Sequence, residues 1–259
     1  MNDKKFIRIK VIKSLRKLLG RKHLNCYELL RINNLGTMIS SILITKRSEI
    51  RQMALGHPDR KKYGSKIKQF KRILQNPYID YKSYYLSYAC SLLHKLSKIG
   101  DLKFSIDGSS VGRGCMCLMF SVLYKEKAIP IIWHVYKAKK GHLPEQAHRN
   151  LLSELSQIVP CGCRVIITGD GEFDGCDWQT DILKQGWDYV LRTGKNVQIR
   201  EAGWDEFKPR TVCLCSGNQL FFEEVEFTRK RLLTNLLIWH GRGHKKPIYL
   251  VSERKLITH

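Results

Sequence analysis

Two carboxylates stand out by their settings. Asp107 closes the apolar alternation of LKFSIDGSS (102–110) just before Gly108, Ser109 and Ser110. Asp170 is delivered in the same way by RVIITGDG (164–171) into a glycine turn. An Asp after a strand often does no more than cap a turn. Two of them at the ends of neighbouring parallel strands would instead meet where open sheets bind ligands, and could share a divalent cation.

The elements that must position them follow from periodicity. Leu102–Ile106, Cys115–Tyr124 and Ala128–Tyr136 are apolar runs parted by the turns GSSVGRG and KEK, which predicts an antiparallel meander. Pro144–Ile158 reads as a helix with Leu151, Leu152, Leu155 and Ile158 on one side. It can carry the chain back so that Val165–Thr168 lies parallel to the first strand, bringing Asp170 beside Asp107. Asp174–Gln185 is a further helix and Asp188–Arg192 a further strand. Beyond Gly194, Val197–Arg200, Thr211–Cys215, Leu220–Phe227, Leu232–Trp239 and Ile248–Val251 read as short strands of an inserted antiparallel sheet.

Upstream the pattern is helical. Lys4–Lys22 is a basic amphipathic helix able to lie on DNA, dock on a partner or cap its own domain. Cys26–Thr45, ending in MISSILIT, is a core helix, and Ser48–Leu55 another with Ser48 as its N-cap. A Gly/Pro/Asp turn then leads to SKIKQFKRIL, with Ile67, Phe70, Ile73 and Leu74 inward and Lys66, Lys68, Lys71 and Arg72 outward. The outline is that of a helix-turn-helix. Asn76 and Pro77 end it, and Ile79–Ile99 is one aromatic helix.

Charge separates the same two regions. Of 259 residues with net charge +23, residues 1–100 hold 23 Lys and Arg against 5 Asp and Glu, whereas residues 101–259 hold 23 against 18. A polyanion is the natural partner of such a segment. Nucleic acid fits better than membrane, since no apolar run approaches the roughly 20 residues of a spanning helix.

Nine cysteines without a signal peptide read as reduced thiols. Cys115/Cys117, Cys161/Cys163 and Cys213/Cys215 form Cys-x-Cys pairs, a spacing that sets both side chains on one strand face and suits small apolar fillers better than structural zinc. Asp174, Asp177 and Asp181 read as helix-start and surface charges. His134, His142 and His148 lack a ligand spacing, and Trp204 and Trp239 read as structural. Arg192 and Lys195, just past the last core strand, are candidate phosphate contacts. Glu172 is expected to point along its turn.

In combination, FSIDGSS, ITGDGEF, GWDYVLRTG, PIYLVS, MISSILIT and SKIKQFKRIL resemble the DDE transposases of the insertion-sequence-four type, from about residue 27 to 254. The resemblance implies an α/β, ribonuclease-H-like mixed sheet with an N-terminal helical region and a β-rich insertion. Its expected parts are a basic helical DNA-binding region over 1–100, a catalytic core over 101–194 and the insertion over 195–259. It further implies cleavage and transfer of DNA strands at terminal inverted repeats by two Mg²⁺ (or Mn²⁺) ions. Asp107 and Asp170 match the first two catalytic acids and metal ligands, with Lys66, Lys68, Lys71, Arg72, Arg192 and Lys195 as DNA contacts. A homodimer in the complete enzyme and a cytoplasmic, nucleoid-associated location are expected. The family's third acid, a Glu on a later helix, has no counterpart, and Glu253 is not promoted to it. The expectation is therefore a C-terminally truncated transposase of weak or no activity, or else a non-enzymatic DNA-binding remnant that occupies element ends or pairs with full-length enzyme.

Overall fold

The computed structural model describes residues 3–20, 23–138, 143–201, 203, 208–209 and 214–253. The chain divides into two compact units, Met1–Ser91 and Leu92–His259.

The first unit is helical: α1 Asp3–Leu19, α2 Cys26–Thr45, α3 Ile50–Leu55, α4 Tyr63–Leu74, α5 Tyr81–Tyr84 and α6 Leu86–Ser97, the division falling inside α6. α2 starts cleanly because Asn25 and Glu28 form a reciprocal capping box. Near its end the Thr37, Ser41 and Thr45 hydroxyls each donate to the carbonyl four residues back, so this polar-looking stretch packs without orphaned groups. Small residues allow close approach. A Cβ on Gly36 would lie 2.5 Å from Ile12 Cγ1, and one on Gly56 would lie 2.8 Å from the Ser41 carbonyl. Met53, Ala54, Phe70 and Ile73 form the buried centre.

Of the three roles open to the first helix, packing on its own unit is the one observed. α1 lies along α2, Lys4 Nζ donates to the Leu55 carbonyl, and Arg8 pairs with Asp59 at 2.9 Å. Three expectations need correction. α3 begins at Ile50 after Glu49, without a side-chain cap, so Ser48 does not cap it. Leu74 is exposed because α4 ends there and turns its last residue outward. The aromatic helix is two pieces separated at Tyr85, the shorter opened by Asp80, whose carboxylate accepts from the Ser83 N–H.

The second unit is built on β1 Leu102–Gly112, β2 Cys115–Tyr124, β3 Lys127–Lys137, α7 Glu145–Ser156, β4 Val165–Gly169, α8 Cys176–Lys184, β5 Asp188–Thr193, β6 Gln198–Arg200, β7 Lys208–Pro209, β8 Gln219–Phe227, β9 Leu232–Trp239 and β10 Ile248–Ser252. One ten-stranded sheet runs β3-β2-β1-β4-β5-β10-β9-β8-β6-β7. The first three strands are antiparallel, and β4 and β5 join parallel to β1. Helices follow β3 and β4. That order and those directions are the ribonuclease-H-like arrangement.

The expected inserted sheet is antiparallel but not a separate sheet, since β10 pairs with β5 and continues the core. The join is polar and buried. Tyr189 on β5 donates to Thr234 on β9, which donates to the Ser252 carbonyl on β10, and burial pushes the Tyr189 phenol up to about 12. The expected strand 211–215 is absent at Leu214 and Cys215; 211–213 lie outside the described residues.

One face of the core sheet is closed by α7, which packs on β2 and β3, and by α8. There Phe104 meets Phe120 edge-on and Phe120 stacks on Trp178 with centroids 6.2 Å apart. Gly175 opens α8 with Glu145 against it. The Glu145 carboxylate accepts the Trp178 N–H at 2.8 Å, satisfying one of the free donors at a helix start, and a Cβ on Gly175 would meet that same oxygen at 2.8 Å.

Candidate functional site

The parallel register of β1 and β4 pairs Phe104 with Ile167 and Ser105 with Thr168. Continued two residues, it sets Asp107 level with Asp170 on strands about 4.8 Å apart. Gly169 pairs with Leu191 across β4 and β5, so one further step sets Arg192 level with Asp170. Side chains alternate along a strand. Phe104 and Ile106 are buried toward α7 and α8, whereas Asp107, Asp170 and Arg192 are exposed. On that alternation Asp107 and Arg192 point to the opposite face of their strands, and Asp170 follows β4 in the turn between them.

One detail departs from expectation. Asp107 is not at a strand end: β1 runs on to Gly112, and Asp107 pairs with Met119 of β2. β1 outlasts β4 because β2 continues to hydrogen-bond its far edge. Only Asp170 sits at a strand end, in the turn after Gly169.

Both carboxylates are held locally. The Ser109 hydroxyl donates to Asp107 Oδ2 at 2.7 Å, and the Glu172 N–H donates to Asp170 Oδ1 at 3.0 Å, an Asx turn. The other oxygen of each carboxylate has no hydrogen-bond partner among the described residues. Arg192 has no hydrogen bond or ion pair among the described residues.

Two acids near the site were misjudged from sequence. Glu172 reaches across rather than along its turn: its Oε2 lies 3.5 Å from where a Cβ on Gly108 would sit. Asp174 is no surface charge. It is half-buried, its carboxylate accepts the Thr193 hydroxyl at 2.6 Å, and burial, with the Asp170 charge adding, holds its pKa above the usual carboxylate range. The Asp-x-Glu-x-Asp spacing over 170–174 was the signal available for both. Asp177 behaves as a surface charge, pairing with Lys230, whereas Asp181 is largely covered and pairs with Arg149 and Lys184.

Among the described residues, no three His, Cys, Asp or Glu side chains gather closely enough to hold a metal ion. Asp107 and Asp170 nonetheless offer the hard oxygen donors that Mg²⁺ takes, and that ion is commonly held by one or two carboxylates with water and substrate phosphates completing it. By donor type the two carboxylates suit such an ion.

The remaining candidates fall elsewhere. Lys195 is exposed in the turn after β5. Lys68, Lys71 and Arg72 are exposed on α4 and Lys66 is half-buried there, all in the helical unit. His134 pairs with Glu154 at 3.0 Å; His148 is buried between Phe173 and Trp178. The Trp239 ring rests on Gly241 and against His244. His142, Trp204 and Cys213 lie outside the described residues. The eight described cysteines are free. Cys161 and Cys163 flank a turn at Gly162, φ +74°, and not a strand as their spacing suggested. No helix among the described residues is long and apolar enough to cross a membrane.

No protein-family model matches the chain, and no curated protein matches it. Among solved structures it is similar to the piggyBac transposase in a cryo-EM synaptic complex with hairpin DNA, at 13% identity and a TM-score of 0.47 over 98% of this chain. The chain spans 59% of that transposase's length. It is also similar to Ciona intestinalis endonuclease V in complex with a 24mer DNA containing an inosine followed by a ribo-adenosine, at 15% identity and a TM-score of 0.31, covering 65% of this chain and 81% of the other.

Proposed function

We propose that this protein binds duplex DNA through its basic helical unit and cleaves a DNA strand in a metal-dependent reaction at Asp107 and Asp170, in the manner of a DDE transposase. What supports the reading is the β1–β4 register, which, carried two residues further, brings the exposed Asp107 level with the exposed Asp170.

In that role Asp107 and Asp170 hold the cation and so fix where a scissile phosphate can sit. Bound Mg²⁺ or Mn²⁺ would supply Lewis-acid polarisation of the phosphate and a more acidic bound water. Arg192, one strand further, offers a guanidinium to a phosphate oxygen. Ser109 orients the Asp107 carboxylate. The finer reading, an insertion-sequence-four type enzyme acting as a homodimer on terminal inverted repeats, is supported by FSIDGSS, ITGDGEF and PIYLVS.

A nicking assay on supercoiled and inverted-repeat DNA, with Mg²⁺ or Mn²⁺, tests this. Cleavage that disappears in Asp107→Asn and in Asp170→Asn, with DNA affinity retained, is the expected result; cleavage indifferent to both substitutions would sink it.

A second reading is favoured by the absence of a three-ligand cluster among the described residues. The chain would then be a DNA-binding protein without catalysis. It predicts salt-sensitive DNA binding with no nicking in either metal.

A further inference from the structure

The helical unit contains a cavity of about 420 Å³ that the basic outer face of α4 does not explain. Lys61, Ser65, Gln69, Arg72 and Asn76 line it in a stripe along and just beyond α4, Asn34 of α2 faces them, and Ile73 and Ile79 make its apolar part. Its size is that of ordinary ligand pockets.

The hydrogen bonds decide its chemistry. Gln69 Nε2 donates to Asn34 Oδ1 at 3.2 Å. Gln69 Oε1 accepts from Lys61 Nζ at 3.0 Å and faces His57 Nε2 at 3.3 Å. His57 Nδ1 accepts the Asp59 N–H, which leaves Nε2 as the protonated, donating nitrogen in the neutral ring. Asn76 Oδ1 accepts the Tyr78 N–H. Every amide oxygen at the cavity is thus consumed within the protein. What remains is the Asn34 and Asn76 NH₂ groups, the Ser65 hydroxyl and the Arg72 guanidinium, with Lys61, already bonded to Gln69 and 3.9 Å from Asp59, adding charge beside them. Arg72 and the Ser65 side chain have no partner among the described residues, and no carboxylate lines the cavity. A cavity that offers donors and positive charge, with its acceptors already satisfied, is built for an oxyanion.

We infer that this cavity is a phosphate-binding site and that its occupant is a backbone phosphate of nucleic acid. This rests on the reading that the helical unit binds DNA, and refines it: the fixed contact is the side of α4 that carries Ser65 and Arg72, together with Asn34 of α2. Lys66, Lys68 and Lys71 do not line the cavity and supply only the surrounding field. Such a contact sets register on the duplex without reading its sequence.

The test compares Ser65→Asp with Lys68→Gln in the full chain. Each lowers the net charge by one, and an Asp in the first turn of α4 is compatible with the helix. Affinity for a short labelled duplex at fixed salt should fall at least about tenfold further in Ser65→Asp than in Lys68→Gln. Asn34→Ala, which leaves the charge unchanged, should lower it about fivefold. Inorganic phosphate should raise the unfolding temperature of the wild type and not of Ser65→Asp.

Equal losses in Ser65→Asp and Lys68→Gln, with Asn34→Ala binding as wild type, would overturn the site while leaving DNA binding by the unit intact. Should the wild type bind no DNA, the functional reading itself fails. Phosphate protection abolished by Ser65→Asp would then assign the cavity to free phosphate and overturn the nucleic-acid occupant.

Discussion

The two units handle charge in opposite ways. In the helical unit, acids are few and those beside the cavity are consumed: Asp59 pairs with Arg8 and faces Lys61, which leaves donors and cations outward. In the sheet unit, acids and bases are close to balance, and the exposed face of the core presents carboxylates with a single guanidinium beside them. On the proposed function, one region takes an anion and the other a cation. Composition alone distinguishes the first; the second needs a sheet, because the strand-and-turn settings of Asp107 and Asp170 do not by themselves say that the two come level.

The largest effect that would sharpen the contrast is catalytic. Asp107→Asn and Asp170→Asn should each lower metal-dependent nicking at least about a hundredfold, more than the loss of an outer-sphere partner does, while leaving duplex affinity within about twofold. A matching loss of affinity, read by electrophoretic shift, would place DNA binding and cation binding in one region and dissolve the distinction.

Next are the two cores. Phe70→Ala in the helical unit and Trp178→Ala in the sheet unit each remove a fully buried ring and should each cost about 3–5 kcal/mol. Denaturant unfolding checks this, and identical displacement of every transition by either change would argue against two separately cooperative units. Glu145→Ala is smaller, about 1 kcal/mol, because it removes one charged acceptor from the start of α8.

The smallest effects are in pH. Burial is the main cause lowering the pKa of His57 in one unit and of His148 in the other. A depressed folded pKa contributes stability that is present above the unfolded value, near 6.5, and lost as pH falls through the folded value. Asp174 has the opposite sign: its raised folded pKa means stability is gained as pH falls toward 3.8. His148→Phe should flatten the upper window and Asp174→Asn the lower, each measured as unfolding temperature against pH. A profile unchanged by His148→Phe would show that this ring carries no titration penalty.

Much of the scaffold could be read directly. Cys26–Thr45 is helical over the residues its periodicity marked, Leu232–Trp239 is a strand over the residues its apolar run marked, and the meander with its parallel return is as expected. These are local signals, set by side-chain spacing and turn residues. Reading failed where a distant partner decides the outcome. β1 extends past Ile106 through GSSVGRG residues that look like a turn, because β2 supplies a ladder for them. Cys161–Cys163 resembles a strand by spacing, yet Gly162 in a positive φ makes a turn of it. Asp174 resembles a surface charge until Thr193 and the body of the fold cover it.

The sequence by itself determined the charge division and most of the helical and strand segments, since each depends on residue type and short-range spacing. Only the tertiary structure decided that β4 returns beside β1 in the register that brings Asp170 toward Asp107, that β10 closes onto β5, and that the amide oxygens of Asn34 and Gln69 are satisfied within the protein. Those outcomes depend on register and on hydrogen-bond partners far apart in the chain, and a one-residue change of register would have reversed every side chain concerned.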